Sequence, residues 1–308
     1  MGAAKSRPNV TFARAGWLSS GVARIALAAL AALSTLLASA AAPSAAARVS
    51  ADVAALQAAL RAEGLYGGSV DGVTGPATRA AVRRLQARHG LAVDGIAGPR
   101  TRRALGRRGR PRLSSRPLTL NARGWDVAAL QFLLARHGFP SGPIDGGLGP
   151  RSLTALLGFQ RWAGLAADGV AGAATLSALR RAPARSPLRF LTPVGAPVGD
   201  RFGPRGAGLH SGIDFPAPRG TAVAAAGRGC VQSAGWDPGG YGRLVVVRHR
   251  LGMTSWYAHL SRIAVRRGAC LVAGTRIGTV GASGRASGPH LHFELRLRGA
   301  AIDPLTGL

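Results

Sequence analysis

The sequence is poor in acidic residues, in lysine and in cysteine. These shortages limit the classes of partner and the kinds of metal site that the chain can have. Only 12 Asp and Glu stand against 40 Lys and Arg in 308 residues, and Lys5 is the single lysine. The formal charge of +28 favours anionic partners, a class that includes nucleic acids, acidic membranes and anionic wall polymers. Charge alone does not choose among them.

The two cysteines, Cys230 and Cys270, also exclude some kinds of metal site. No C-x-x-C motif occurs, which disfavours a cysteine-ligated zinc site, and no H-E-x-x-H motif occurs, which excludes a glutamate base carried on a helix. In an oxidising compartment the two thiols either form a disulfide or stay separate, and both alternatives are open at this point.

The N-terminus has the pattern of an export signal. Four basic residues precede an apolar run over 25–37, and small residues follow up to 42. We predict a signal peptide over 1–42; if it is not cleaved, the same run is a membrane anchor, and only then is the membrane a partner. Either form exports the rest of the chain, so we predict an extracellular, cell-wall or periplasmic location and no nucleic-acid partner.

The sequence from 53 to 105 recurs from 127 to 179 at a constant offset of 74, without a gap. For example, Val53-Ala54-Ala55-Leu56-Gln57 returns as Val127-Ala128-Ala129-Leu130-Gln131. An unbroken register over about fifty residues indicates two copies of one folding unit. His89 and His137 fall at different positions in the two copies, so we interpret them as surface or helix-end residues.

Each copy has the spacing of three short helices. In the first copy Leu56 and Leu60 share a helical face. Pro76 suits the first turn of a second helix, Gly90 suits its end, and a third helix is predicted over Thr101–Leu105. The pattern resembles the three-helix peptidoglycan-binding repeat, which implies wall attachment; the alternative is a passive spacer. Units of about 55 residues have small cores, so we expect mutual support between them or docking to a neighbouring domain.

The clearest chemistry lies in Gly288-Pro289-His290-Leu291-His292-Phe293-Glu294. Because side chains alternate faces along a strand, the H-x-H pair directs two imidazoles to one side. An upstream segment, His210-Ser211-Gly212-Ile213-Asp214, offers a third imidazole and a carboxylate, and His259 lies between the two segments. Zinc accepts these ligand types in a tetrahedral shell, and a catalytic zinc keeps one position for water.

Together these segments resemble the lysostaphin-like zinc endopeptidases of bacterial cell walls. The match runs from about Pro193 to Pro304 and also includes Phe202-Gly203-Pro204-Arg205, Tyr241-Gly242 and Tyr257-Ala258-His259-Leu260. Short apolar runs separated by glycines indicate a sheet-rich domain in the same region. The resemblance implies a mostly antiparallel β catalytic domain that cleaves peptide bonds in peptidoglycan.

The resemblance also implies the roles of five residues. Carried onto matching positions, it assigns one zinc ion to His210, Asp214 and His292. It assigns His259 and His290 to catalysis, as the pair that serves as general base and stabilises the transition state. Within the H-x-H motif, the first histidine is therefore the catalytic partner and the second the ligand.

Other side chains near these have more than one interpretation. Glu294 either orients a ligand imidazole or pairs with an arginine. Tyr257 either lines the groove or packs in the core. Arg201 or Arg205 is a candidate to meet a substrate carboxylate, and His249, which matches no catalytic position, is interpreted as structural.

The predicted chain is therefore multidomain, with two small all-α three-helix repeats followed by a mostly antiparallel β catalytic domain. The boundaries are a signal peptide or anchor at 1–42, repeats at 50–106 and 118–181, linkers at 107–117 and 182–188, and a metallopeptidase domain at 189–308. The dense arginines of the first linker predict a solvated, extended segment.

The predicted function is that of a secreted zinc metalloendopeptidase, which hydrolyses peptide bonds in peptidoglycan stems or crossbridges and is anchored by the two repeats. The alternative is a catalytically inactive wall-binding protein that activates another hydrolase. Peptidoglycan is the expected partner, and anionic wall polymers are a second candidate for the Arg-rich segments.

Overall fold

Six α-helices precede twelve β-strands in the computed structural model, which describes residues 49–308; the predicted signal peptide over 1–42 lies outside the described residues. The helices are α1 Ala51–Ala62, α2 Pro76–Arg88, α3 Pro99–Ala104, α4 Trp125–Arg136, α5 Pro150–Trp162 and α6 Ala173–Leu179. Short 3₁₀ helices lie at Gly106–Gly109, Arg250–Gly252 and Pro304–Thr306. No helix within 49–308 is both long and apolar enough to cross a membrane.

The strands all follow the second set of helices. They are β1 Gly203–Arg205, β2 Gly208–His210, β3 Ile213–Pro216, β4 Ala222–Ala224, β5 Gly229–Asp237, β6 Gly242–Arg248, β7 Met253–Ala258, β8 Arg262–Ile263, β9 Cys270–Leu271, β10 Arg276–Thr279, β11 His290–Leu297 and β12 Ala300–Ile302.

The helices follow the sequence repeat, and local chemistry sets their ends. Pro76 and Pro150 begin α2 and α5 at matching positions, where the missing N–H has no helical partner to lose. Gly64 and Gly138 follow α1 and α4 with φ of 71° and 81°, a left-handed conformation that glycine adopts readily. The predicted pair of three-helix units is confirmed.

Each repeat contains two copies of a buried hydrogen-bond network around a glutamine. Nε2 of Gln57 donates to Oδ1 of Asp71 (2.7 Å) and to the carbonyl of Val73 (3.0 Å), and its Oε1 accepts from the backbone N–H of Gly72 (2.9 Å). The same arrangement recurs around Gln86, Gln131 and Gln160. These Asp-Gly pairs are therefore turn residues, as the sequence favours.

The two repeats share a hydrophobic core. Trp125, Phe132 and Ile144 of the second repeat pack with the buried face of α1. The indole N–H of Trp125 donates to Asp52 of the first repeat (3.1 Å). The expected mutual support is confirmed, since small units gain buried area by packing on one another.

The Arg-rich segment between the repeats is mostly exposed, as predicted, but it is not extended throughout, because Gly106–Gly109 forms a 3₁₀ helix and turns follow it. Arg108 lies 2.8 Å from Glu63, and Arg116 lies 2.8 Å from Asp126, whose side chain is buried. Carboxylates from both repeats thus offset part of the repulsion among the arginines.

His137 ends α4, so the helix-end alternative holds for it, but it is not a surface residue because it is only 6% exposed. Its Nε2 donates to the carbonyl of Leu179 (3.0 Å), so the end of α6 covers the ring. His89, at the end of α2, is exposed as expected.

The C-terminal domain consists of antiparallel strands, which confirms the predicted fold. Its largest sheet has the order β12-β11-β7-β6-β5-β9, with β3 also pairing with β11. A second sheet has the order β4-β10-β8, and β1 and β2 form a two-stranded hairpin. Adjacent strands β5 and β9 are joined by a disulfide between Cys230 and Cys270, so the structure takes the bonded alternative.

Candidate metal centre

Strand β11 separates a polar face from an apolar one. Leu291 and Phe293 are fully buried in the core of the domain. His290, His292 and Glu294 alternate with them and lie on the opposite face, as expected for a strand. Both histidines of the H-x-H pair therefore lie on the face of the sheet opposite the hydrophobic core.

The second histidine of the motif lies beside a carboxylate. His292 is paired directly with Asp214 in the register of β11 and β3. Gly212 precedes β3, and a Cβ there would lie 2.3 Å from the carbonyl oxygen of Phe293. Only glycine allows the chain to pass this close to β11, and this passage brings His210 next to the same pair.

The side chains of His210, Asp214 and His292 converge on one point. Nε2 of His210 lies 3.0 Å from Nδ1 of His292 and 3.1 Å from Oδ1 of Asp214. Nδ1 of His292 lies 2.8 Å from the same oxygen. All three residues are buried, and their ligand atoms form a group that can hold a metal ion.

In each of the two imidazoles, the outer nitrogen, which faces away from this point, forms a hydrogen bond with another group. Nδ1 of His210 donates to the carbonyl of Arg201 (2.9 Å), and Nε2 of His292 donates to Oε1 of Glu294 (3.0 Å). When each imidazole is neutral, its one proton lies on this outer nitrogen, so both inner nitrogens present lone pairs to each other and to the Asp214 carboxylate. When an imidazole is protonated, its inner nitrogen donates to that carboxylate instead. One divalent cation satisfies all three donors, so the residues fit a metal.

Carboxylates set the charge balance of the centre. Burial alone lowers the pKa of His292, but hydrogen bonds to Asp214 and Glu294 outweigh it and raise the pKa to about 9. Burial raises the pKa of Glu294, yet His292 and Arg296 outweigh it and lower the pKa to about 2. Hydrogen bonds from His210, His292 and Arg205 likewise hold the pKa of Asp214 far below its usual range despite burial. The centre therefore attracts positive charge.

Glu294 connects the centre to a buried polar network. It accepts hydrogen bonds from Ser211, from the Tyr241 hydroxyl (2.7 Å) and from His292, while its other oxygen accepts from Nε of Arg296 (2.6 Å). Glu294 thus bonds the imidazole of His292, a candidate ligand, and also pairs with Arg296, so the contacts of both alternatives offered by the sequence occur.

The two candidate catalytic histidines, His259 and His290, lie beside the centre. The ring centroids of His259 and His290 are 4.8 Å apart, and His259 is 5.8 Å from His292. Nδ1 of His259 donates to the carbonyl of Ser283 (2.7 Å), and Nδ1 of His290 donates to that of Gly288 (2.9 Å). Nε2 of each ring is therefore left for the cavity. Burial lowers the pKa of His259, which favours its neutral form.

An open cavity of about 510 Å³ surrounds these histidines. Arg205 lines it, and Nη2 of its guanidinium donates to Asp214 (2.9 Å) and to Asp200 (2.8 Å). A contact of Arg205 with a substrate carboxylate stays a prediction. Tyr241 also lines the cavity, a position that sequence reasoning missed although the Tyr241-Gly242 pair was part of the matched pattern. Arg205 thus contacts Asp214, a candidate ligand, and Tyr241 contacts Glu294, which bonds His292.

Two other candidates lie away from the cavity. Tyr257 is fully buried in the core, and its hydroxyl accepts from the backbone N–H of Ala226 (2.8 Å), so the core interpretation is correct. His249 is bonded between the carbonyl of Arg228 (2.7 Å) and the hydroxyl of Ser255 (2.8 Å). This position agrees with the structural role expected for it.

Comparison with known families gives matches to both parts of the chain. Residues 208–304 match the model of Peptidase family M23. Residues 49–105 and 123–179 match the model "Putative peptidoglycan binding domain". The matched ranges coincide with the strand-rich domain and the two sets of three helices.

Curated relatives and solved structures are similar to part of this chain. DD-carboxypeptidase/endopeptidase Mpg of Neisseria meningitidis serogroup B is 41% identical over 117 residues, which cover 37% of this chain and 27% of that protein. Peptidoglycan DD-endopeptidase ShyA of Vibrio cholerae is 39% identical over 109 residues, covering 35% and 24%. The catalytic domain of lysostaphin from Staphylococcus simulans is 34% identical with a TM-score of 0.35, covering 36% of this chain and 90% of that structure. This chain thus spans about a quarter of the length of these two curated relatives.

Proposed function

We propose that this protein is a secreted zinc metalloendopeptidase that hydrolyses peptide bonds in peptidoglycan stems or crossbridges and is anchored by its two repeats. The matches to Peptidase family M23 and to the peptidoglycan-binding model support this proposal. The observation that carries this proposal is the convergence of His210, Asp214 and His292 beside the His259–His290 pair. Relatives named as peptidoglycan DD-endopeptidases support the substrate.

We assign one zinc ion to His210, Asp214 and His292. Two neutral imidazoles and one carboxylate suit zinc, and three protein ligands leave a fourth position for water, as in other catalytic zinc sites. When bound, the ion would polarise the scissile carbonyl and lower the pKa of a coordinated water to near 7. The protein's task is to keep the ligand atoms unprotonated and fixed.

The outer hydrogen bonds perform that task. The carbonyl of Arg201 holds the proton of His210 on Nδ1, and Glu294 holds the proton of His292 on Nε2. Each bond fixes the tautomer and the ring orientation, so the inner nitrogen stays available for the metal.

His259 and His290 would move protons during the reaction. Backbone carbonyls hold Nδ1 of both rings, so Nε2 is the atom that accepts a proton from the attacking water and returns it to the leaving amine. Burial favours neutral His259, the form that a general base needs. The pair also lies where it would stabilise charge on the tetrahedral oxygen as the amide is attacked.

The two repeats and the basic composition of the chain both support action on the bacterial cell wall. The export pattern over 1–42 and the peptidoglycan-binding repeats support a location in the cell envelope or outside the cell, with peptidoglycan as the partner. The charge of +28 supports contact with anionic wall polymers as well.

Mass analysis of muropeptides released from purified wall tests this proposal. Full-length protein loaded with zinc should release cleaved peptides, a chelator should stop release, and added zinc should restore it. His290→Ala is the control, because it should retain the metal and release almost nothing. If the wild type releases no peptide but stimulates a second hydrolase as strongly as His290→Ala does, the activator alternative replaces the proposal.

A further inference from the structure

Both repeats form hydrogen bonds with one turn of the C-terminal domain, and they do so through residues at equivalent positions of the repeat. The backbone N–H of Val70 donates to the carbonyl of Gly206 (2.8 Å), and that of Ile144 donates to the carbonyl of Ala207 (2.7 Å). Val70 and Ile144 are 74 residues apart, which is the offset that relates the two repeats. The Ser69 hydroxyl adds a third bond by accepting from the N–H of Gly206 (3.1 Å). Both donor side chains are buried in the core shared by the repeats, so the donors have a rigid base.

The held turn belongs to the β1–β2 hairpin, which within residues 49–308 joins neither larger sheet. An isolated two-stranded hairpin is marginally stable in water. Its pairing runs from Arg205 opposite Gly208, next to the turn, to Gly203 opposite His210 at the open end. Fixing the turn therefore fixes the register, and the register sets where His210 lies.

Several groups of the metal centre depend on this hairpin and on the residues just before it. His210 ends β2 and supplies a ligand nitrogen. Arg205 ends β1 and donates to Oδ2 of Asp214 (2.9 Å). The carbonyl of Arg201 holds Nδ1 of His210 (2.9 Å). A shift of the hairpin would move all three groups relative to Asp214 on β3.

A second contact area keeps the repeats docked. The carbonyl of Gly138 accepts from the backbone N–H of Ala301 (3.2 Å), and the indole N–H of Trp162 donates to the carbonyl of Leu297 (3.1 Å). The guanidinium of Arg298 lies 5.2 Å from the centroid of the Trp162 ring. The second repeat thus contacts the strand-rich domain at two separate places, and the held turn is one of them.

We propose that the paired repeats clamp the metal centre, with Ser69, Val70 and Ile144 as positioning residues that act through the β1–β2 hairpin. This role rests on the proposed zinc site and is distinct from wall attachment. Because coupling between two sites is reciprocal, zinc binding must in turn stabilise the bonds that the clamp makes to the turn.

Amide hydrogen exchange of the full-length wild type, with and without zinc, tests the coupling directly. Zinc should slow exchange at Val70 and Ile144 several-fold more than at Leu65 and Ala171, whose N–H groups bond within the repeats to Leu60 and Leu118. If the two clamp amides respond to zinc no more than the two control amides, the clamp is refuted.

Zinc affinity of a matched pair of variants gives a second test. Ser69→Ala should weaken zinc binding a few-fold and at most about tenfold, the equivalent of one neutral hydrogen bond. Ser50→Ala in the same repeat should leave it unchanged, because that side chain makes no capping bond. Equal dissociation constants in both variants overturn the clamp alone, whereas a wild type that binds no zinc overturns the proposed zinc site together with it. Neither readout involves peptide hydrolysis.

Discussion

His210 and His292 approach each other through unlike nitrogens, Nε2 of the first and Nδ1 of the second, at 3.0 Å. The difference follows from their outer partners. His210 bonds to the backbone carbonyl of Arg201, nine residues earlier, whereas His292 bonds to Glu294, two residues later on the same strand face. The hydrogen bond to Arg201 or to Glu294 fixes the proton of each ring on one nitrogen and leaves the other nitrogen for the metal. These two partners therefore influence the affinity of the centre for a metal.

Glu294→Gln should weaken zinc binding about 10- to 100-fold, the range typical of residues that support metal ligands. The amide keeps the shape of the side chain, but it loses the charge that holds His292 and leaves Arg296 without its buried counter-ion. Competition with a chromophoric chelator measures the change. Glu63 is the only other glutamate in the chain, and Glu63→Gln in the first repeat should leave zinc affinity as it is. Equal zinc affinities for both variants would show that Glu294 does not support zinc binding.

The Cys230–Cys270 disulfide should contribute measurably to stability. The bridge closes a segment with a sequence separation of 40, so replacing both cysteines by serine should lower the free energy of unfolding by about 2–4 kcal/mol. Denaturant titration of the exported protein measures this, and thiol titration under denaturing conditions should find no free sulfhydryl in the wild type. Two free thiols would contradict the structure.

His137 should make folding stability depend on pH below neutrality. Burial lowers the pKa of its imidazole, and its Nδ1 is buried without a hydrogen-bond partner among residues 49–308. A histidine with a lowered folded-state pKa contributes stability above the unfolded value of about 6.5, and that stability is lost as pH falls towards the folded value.

The comparison of two helix-end histidines checks this sign. Between pH 7.5 and pH 5.5 the wild type and His89→Gln should lose the same amount in Tm. His137→Gln should lose less, because glutamine can still donate to the carbonyl of Leu179 but does not titrate. A loss in His137→Gln as large as that of the wild type would show that this ring is not the titrating group.

Local rules were sufficient for the helices and for the central motif. Pro76 and Gly90 delimit the second helix because each restricts or frees the backbone at its own position. The common face of His290 and His292 requires only the alternation of a strand. The catalytic and ligand roles assigned within that motif remain predictions.

Features that depend on long-range contacts were beyond sequence reasoning. Arg205 was a candidate for a substrate carboxylate, and nothing local distinguishes an arginine that pairs with Asp214 from the many others. His137 is buried by the end of α6, 42 residues further along the chain. The bonds of Val70 and Ile144 to one hairpin turn arise only when both repeats pack on the C-terminal domain.

Zinc content of purified variants tests the central claim most directly. The wild type and His290→Ala should each contain one zinc per chain, while His210→Ala and Asp214→Ala should contain almost none because each removes a ligand. His290→Ala should nevertheless lose turnover by about 10²- to 10⁴-fold, as expected for loss of a proton-transfer group. A metal-free His290→Ala variant, or an Asp214→Ala variant that keeps its zinc, would contradict the assignment of His210, Asp214 and His292 as the ligands.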